Sequence, residues 1–373
     1  MTWPSSAEYQ EALQSPPFTF EDSELRGGVT KLDKRGMPAV CSGHFASVFS
    51  LDCGNKRLAV KCFLQNRPDL LHRYKEIALQ LASSRLPYTV QFEYIENGIK
   101  INQNWYPVLK MVWIEGDTFL SYVHKHITDK QKLLALSVQF KQMQQRLSYA
   151  GIAHGDLQHG NIIVAADSLK LVDYDGMYVP ALHNLEANEN GLGSYQHPKR
   201  TASHFGPYLD NFSAWLIHTS LVCLAIDPTF WDGQILQREH FLFQEDDLKN
   251  PQSSDLLNRF SKHSSAQLRS IPETLQRLLT MSPEEISSLD DIAITGVHID
   301  QTLEEHFKVL GLQASASEKQ IQEAFQVWQR VWAPEHYKHH KGLAKKAAEK
   351  LTSVKEAFDA IIRAEKSAAN AGA

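Results

Sequence analysis

Apolar and polar residues alternate through much of the first third of the chain, and apolar residues recur at helical spacing through most of the remaining two thirds. From Pro38 to Phe63 β-forming residues dominate. Within SVFSLDCGNKRLAVKCF two apolar runs flank Asp52, Gly54 and Asn55, which predicts a hairpin. Residues 67 to 86 carry a helical pattern, and residues 89 to 113 alternate again, with Asn97 and Gly98 as the predicted turn. The polar opening, residues 1–28, shows no period and is expected to be a flexible segment. Beyond residue 113 helices take over. Leu133, Leu136, Phe140, Met143 and Leu147 mark one that Thr128 or Asp129 opens and Gly151 closes. The nearly apolar run from Phe212 to Ile226 is shorter than the ~20 residues of a membrane span, and Ser213, His218 and Thr219 interrupt it. It predicts a buried helix. The polar stretch from Asp246 to Ser265 is expected to form surface loops. Near the end, Ile321, Phe325, Trp328 and Trp332 form one helical stripe and Leu351, Val354, Phe358 and Ile361 another, predicting two faces that pack together.

A chain of 373 residues with 43% hydrophobic content can bury a large core, and its length suits one large domain and one small one. With 38 basic and 43 acidic residues the net charge is −5, which gives no global reason to expect nucleic acid or a membrane as partner. The opening MTWPSSAEYQEALQ lacks the basic start and apolar run of a signal or transit peptide. Cys41, Cys53, Cys62 and Cys223 show no CxxC spacing and read as buried free thiols of a reducing compartment, so a cytoplasmic location is expected.

The residues that carry chemistry begin with GHFASV, Gly43 to Val48, in a predicted hairpin whose small residues would let backbone amides approach a triphosphate. Lys61 follows in LAVKCF, on the same strand face as Ala59, and Glu76 on the next helix could hold it. Taken singly, these read as a plain hairpin, a solvated lysine and a solvent-facing helix residue. The stronger signal is His154-Gly155-Asp156-Leu157-Gln158-His159-Gly160-Asn161, followed by an apolar strand and then LKLVDYDG. Either stretch alone reads as turn formers between strands. Together they set Asp156, Asn161 and Asp173 in the order phosphoryl transfer needs: a carboxylate for the attacking hydroxyl and oxygen ligands for magnesium.

On these residues the chain resembles the protein-kinase superfamily over roughly residues 28 to 290, and the domain expected is 29–292. The resemblance implies an α+β, two-lobed fold, β-rich first and helical after, that binds ATP and Mg2+ or Mn2+. It assigns Gly43 and Val48 to the phosphate-covering hairpin, Lys61 to the α and β phosphates and Glu76 to Lys61. Ala59 would belong to the cofactor site, Met111 would end the strand that lines the adenine pocket, and Val112 and Trp113 would offer hinge backbone groups. Asp156 would be the catalytic base, Asn161 and Asp173 the metal ligands, and Asp210 the buried anchor of the catalytic loop. Departures are Gly155 where regulated kinases carry arginine, Gln158 where serine/threonine kinases carry lysine, Tyr174 and Asp175 in the metal motif, and Cys41 and Ala46 for glycines of the hairpin.

Residues 303 to 363 resemble a J-domain, with a domain expected over 300–366 and a tail over 367–373. Its functional His-Pro-Asp reads Ala333-Pro334-Glu335, so chaperone stimulation is not expected and a docking module is. His336, His339 and His340 beside lysines read as a solvated loop rather than a metal site. The whole implies a serine/threonine protein kinase of bacterial, signalling type acting on a protein substrate. A small-molecule phosphotransferase of the aminoglycoside or choline kinase type and a nucleotide-binding pseudokinase scaffold are the alternatives. GLGSYQHPKR, which resembles the end of an activation segment, and the helix at Asp210 favour a protein acceptor.

Overall fold

The computed structural model describes residues 3–42, 45–67, 69–166, 168–289, 303–312, 316, 318–337 and 341–371. The chain divides into two compact units, Met1–Ile294 and Thr295–Ala373. The first opens on three short helices, α1 (Ser6–Ala12), α2 (Pro16–Thr19) and α3 (Ser23–Arg26). The segment expected to be loose is therefore ordered, because burial holds it. Tyr9, Leu13, Phe20 and Leu25 pack with Leu58, Val60 and Cys62 on one face of the sheet. The Tyr9 hydroxyl donates to the Phe63 carbonyl at 2.7 Å, and the Ser5 side chain caps α1. Four apolar residues, Tyr9 and Leu25 within helices and Leu13 and Phe20 just after them, leave no stripe to read in the sequence.

The sheet comprises β1 (Val29–Thr30), β2 (Val40–Ser42), β3 (Ala46–Cys53), β4 (Lys56–Phe63), β5 (Phe92–Ile101) and β6 (Asn104–Val112), in the order β1-β3-β4-β6-β5 with β2 also on β3. The predicted β3–β4 hairpin forms, Cys53 pairing with Lys56 across a turn in which Gly54 has φ +66. The β5–β6 turn falls elsewhere than expected. Asn102 and Gln103, both with positive φ, make it, while Gly98 sits where the register shifts between Ile95 and Ile99. A Cβ on Gly98 would lie 2.4 Å from Val108 Cγ2, so this glycine serves close packing at a bulge and not a turn. Helix α4 (Leu70–Ser84) lies between β4 and β5 in the chain and buries Arg73, Tyr74, Ile77 and Leu81.

A three-stranded sheet of β7 (Asp117–Thr118), β8 (Ile162–Ala165) and β9 (Ser168–Leu171) lies among the helices of the second lobe. Helix α5 (Phe119–Lys125) leads to α6 (Lys130–Tyr149), which the Asp129 side chain caps and which ends before Gly151, φ +69, as the pattern predicted. Helix α7 (Asn211–Ile226) is buried on nearly every side. That explains its continuous apolar run, since a helix surrounded by core has no polar face. The region expected as loops carries α8 (Glu245–Lys249) and α9 (Asp255–Ser261), whose Leu248, Leu257 and Phe260 enter the core. Short helices bury one or two residues each, too few for a period to show in a polar stretch. Helices α10 (Ala266–Arg269) and α11 (Ile271–Thr280) complete this lobe. A β-rich lobe followed by a helical one is the α+β, kinase-like class expected.

The second unit comprises α12 (Leu303–Val309), α13 (Glu318–Val331) and α14 (Lys341–Ala371) around its own core of Phe307, Leu310, Ile321, Val354, Ala357 and Ile361. The two predicted stripes meet there: Phe325 stacks on Phe358 with centroids 4.1 Å apart. Trp332 turns instead to Tyr337. His339 and His340 lie outside the described residues. Among described residues no helix is long and apolar enough to cross a membrane. Cys53, Cys62 and Cys223 are buried free thiols, whereas Cys41 is exposed.

Candidate active site

Pairing across the sheet sets Lys61 opposite Val48 of β3 and Leu109 of β6, and Ala59 opposite Met111. Strand alternation turns Lys61 and Ala59 away from the face that Leu58, Val60 and Cys62 present to the opening helices. Lys61 is only 5% exposed, and an ammonium so buried requires partners. Its Nζ lies 2.5 Å from Asp173 Oδ1 and 2.7 Å from Asp175 Oδ1. Burial alone would lower the lysine pKa. The two carboxylates more than reverse that and hold it above the ordinary lysine range.

Glu76, the expected partner, does not pair with Lys61. The buried face of α4 runs through Arg73, Tyr74 and Ile77, which leaves Glu76 beside that face and half-exposed. From the buried face the Tyr74 hydroxyl donates to Asp175 Oδ1. Arg73 donates to the Glu186 carbonyl at 2.6 Å, tying α4 to the segment after DYDG. The carboxylate that holds Lys61 is thus brought by the DYDG turn, and the helix fixes that carboxylate through a phenol.

Asp173 has φ +65, a left-handed conformation that costs a non-glycine residue on the order of 1–3 kcal/mol. Its neighbours enforce it. Tyr174 is buried, with its hydroxyl donating to the Leu171 carbonyl and accepting from the Val90 amide, both at 2.7 Å. Asp173 itself stays half-exposed.

The HGDLQHGN loop hangs from Asp210, whose carboxylate accepts from the backbone amides of His154 and, at 2.9 Å, Gly155. This is the anchoring expected of Asp210. Gly155 has φ +80, and a Cβ there would lie 1.9 Å from the Gly176 carbonyl oxygen. No side chain fits, so the missing arginine is a steric necessity of this turn. Asn161 Nδ2 donates to the Asp156 backbone carbonyl at 2.8 Å and to Asp156 Oδ2 at 3.0 Å, while Asp156 Oδ1 accepts from the Leu192 amide at 2.9 Å. Gln158 turns back, its Oε1 accepting from the Gly160 amide, and offers no replacement for a lysine through that atom. The Val172 amide donates to the Asn161 carbonyl at 3.0 Å, which couples the loop to Asp173.

Glu189 adds a carboxyl that sequence reasoning missed. Burial, then the charges of Asp175, Asp156 and Asp173, push its pKa up to about 8. Gln196 and Arg200 were missed as well. Arg200 is buried and donates to the Gly155 carbonyl at 2.7 Å and to Gln196 Oε1. GLGSYQHPKR contains Gln196 and Arg200 but assigns neither a role, and no pattern marks Glu189, because what these residues do depends on distant partners such as Gly155, 45 positions from Arg200.

Asn161 commits its Nδ2 to Asp156, which leaves its amide oxygen as the atom able to meet a cation, and Asp173 is an exposed carboxylate. Two hard oxygen donors fit a magnesium ion that takes its other ligands from phosphates and water. The described residues contain no group of three or more His, Cys, Asp or Glu placed to hold a metal by themselves. Of the expected adenine-site groups, Trp113 does not offer its amide, which donates to the Arg57 carbonyl at 2.9 Å. Gly43 lies outside the described residues.

The chain matches no protein-family model and no curated protein. Among solved structures it is similar to the kinase PK-1 of the Cydia pomonella granulovirus, at 14% identity and a TM-score of 0.42, over 69% of this chain and 88% of that one.

Proposed function

We propose that the first unit transfers the γ-phosphoryl group of ATP to a serine or threonine hydroxyl of a protein. The observation that carries this reading is the pairing of Lys61 with Asp173 and of Asn161 with Asp156, the two pairs joined where the amide of Val172, next to Asp173, donates to the Asn161 carbonyl, with a buried cation at one end and a carboxylate for the acceptor at the other. Lys61 would meet the α and β phosphates once its charge is shared between them and the two aspartates. Asp156 would orient the acceptor hydroxyl and take its proton as the new P–O bond forms and the bond to ADP breaks. Asn161 and Asp173 would hold magnesium, which neutralises charge on the phosphates when bound.

A protein acceptor is favoured over a small molecule by the ordered segment from Leu192 to Arg200, which packs directly against Asp156 and Gly155. The second unit, J-domain-like by resemblance, would serve as a docking module for the natural target. Phosphosite mapping after incubation with Mg-ATP tests the central claim. Transfer to serine or threonine that Asp156→Asn abolishes while nucleotide binding survives supports it, and equal transfer by that variant would sink it. Deleting residues 300–373 should spare transfer to a generic protein and abolish transfer to the natural one.

A further inference from the structure

Asp156 has a neighbour of opposite polarity that no motif supplies. Gln196 is 6% exposed, and its Nε2 is buried without a hydrogen-bond partner among the described residues. A buried donor of this kind is costly unless something accepts from it. The orientation of the amide is fixed by chemistry. Arg200 has donors only, so the Gln196 atom it contacts must be the oxygen, and Nε2 must point the other way. It points at Gly191. A Cβ on Gly191 would lie 2.6 Å from Gln196 Nε2 and 2.7 Å from Asp156 Oδ1, so one point beside that glycine touches both groups. Gly191 has φ +71 and presents only hydrogen there, while the next amide, Leu192, occupies Asp156 Oδ1.

The Gly191–Leu192 backbone thus gives Asp156 a donor, as an incoming hydroxyl would, but gives Gln196 no acceptor. The pair of groups asks for a ligand that donates to a carboxylate and accepts from an amide across a few ångströms. A hydroxyl next to a peptide carbonyl does both.

Resting on the phosphotransferase reading, we infer that Gln196 contacts the phosphoryl acceptor, donating from Nε2 to an oxygen of the acceptor chain while Asp156 receives its hydroxyl. Arg200 is the positioning residue that aims the amide. The acceptor displaces Leu192 from Asp156 to reach both groups.

The test uses the full chain with Mg-ATP and dephosphorylated casein as acceptor, with autophosphorylation followed in parallel. Gln196→Met removes the donor at similar volume. Gln196→Glu keeps an oxygen for Arg200 and turns a second carboxylate oxygen toward Asp156. The expected result is a loss of about tenfold in kcat/KM for casein in the first variant and a larger one in the second. The affinity for an unhydrolysable ATP analogue, by calorimetry, should stay near wild type in both variants; the melting temperature should fall in Gln196→Met, which also takes the acceptor from the buried Arg200. A purely structural glutamine would lower the affinity for the ATP analogue together with casein turnover, or would leave Gln196→Glu, which keeps the oxygen for Arg200, fully active on casein; either result overturns the inference. So does a Gln196→Met chain within twofold of wild type on casein, which leaves the phosphotransferase reading standing. A wild-type chain that phosphorylates neither casein nor itself overturns both.

Discussion

Lys61 and Asp175 meet at 2.7 Å with 7% and 6% of their side chains exposed, so the lysine of the proposed phosphate site is held by the carboxylate that replaces a glycine in the metal motif. Tyr74 bonds the same carboxylate oxygen. Removing one partner of a buried pair strands the other, at about 3–5 kcal/mol. Asp173 also contacts Lys61, so Asp175→Ala is expected to cost about 3 kcal/mol in urea unfolding. Tyr74→Phe, which deletes one hydrogen bond, should cost about 1 kcal/mol. Both should weaken ATP binding, and calorimetry measures it. An Asp175→Ala chain as stable as wild type would show that Asp173 alone satisfies the lysine.

Lys61→Ala and Asp173→Ala should both abolish transfer but part company in stability. Both residues are proposed to act on the nucleotide, and on that ground alone neither substitution would unfold the chain. The structure revises this for Lys61, because its loss leaves Asp175 buried without a cation, whereas Asp173 is half-exposed. A lower melting temperature is expected for Lys61→Ala and a near-native one for Asp173→Ala. Adding Asp175→Asn to Lys61→Ala should restore part of the stability and none of the activity, and a double-mutant cycle gives the coupling.

Gly155→Ala should disable the chain outright. The new Cβ would overlap the Gly176 carbonyl at 1.9 Å, in a backbone conformation with φ +80. Strain of this kind exceeds the ~1 kcal/mol by which alanine for glycine can stabilise a compatible site. The expected readout is a loss of soluble, cooperatively unfolding protein, or a melting point lowered by many degrees. Gly233→Ala, where a Cβ would meet nothing within 4 Å, is the tolerated control.

Glu189 predicts a pH dependence with a definite sign. Its carboxyl titrates at about 8 in the folded chain against an ordinary value of 4.5. Between those values the folded chain binds more protons than the unfolded one, so stability falls as pH rises, by up to ~1.4 kcal/mol per unit. His159, lowered to about 4 by burial and then by His240, acts oppositely between about 4 and 6.5. The window free of that opposition is therefore about 6.5 to 8. Urea unfolding of wild type across it should show declining stability, and Glu189→Gln should flatten the decline. Parallel curves for the two chains would exclude Glu189 as the source.

The legible parts of this chain are those whose signals are local. A helix with apolar residues at spacings of three and four, opened by Asp129 and closed by Gly151, needs only its own side chains to declare itself. The β3–β4 hairpin, the all-buried α7 and the two stripes of the second unit obey the same rule. Asp156, Asn161 and Asp173, the residues proposed for the site, fall within one stretch of 18 residues, so the motif that gathers them is itself local.

What the sequence by itself determined is the order of elements, a sheet then helices then a small helical unit, and the types of group at the proposed site. Tertiary structure decided the pairings. Glu76 and Tyr74 both stand near the middle of α4, and which of them faces Lys61 depends on a rotation of the helix that only packing sets. Asp175, Glu189 and Gln196 acquire meaning from neighbours many positions away, since burial and charge there are sums over segments that local pattern cannot add. The opening helices make the same point for stability. Their few apolar residues carry no period, yet the sheet's bare face buries Tyr9, Leu13, Phe20 and Leu25 and so turns a segment without pattern into structure.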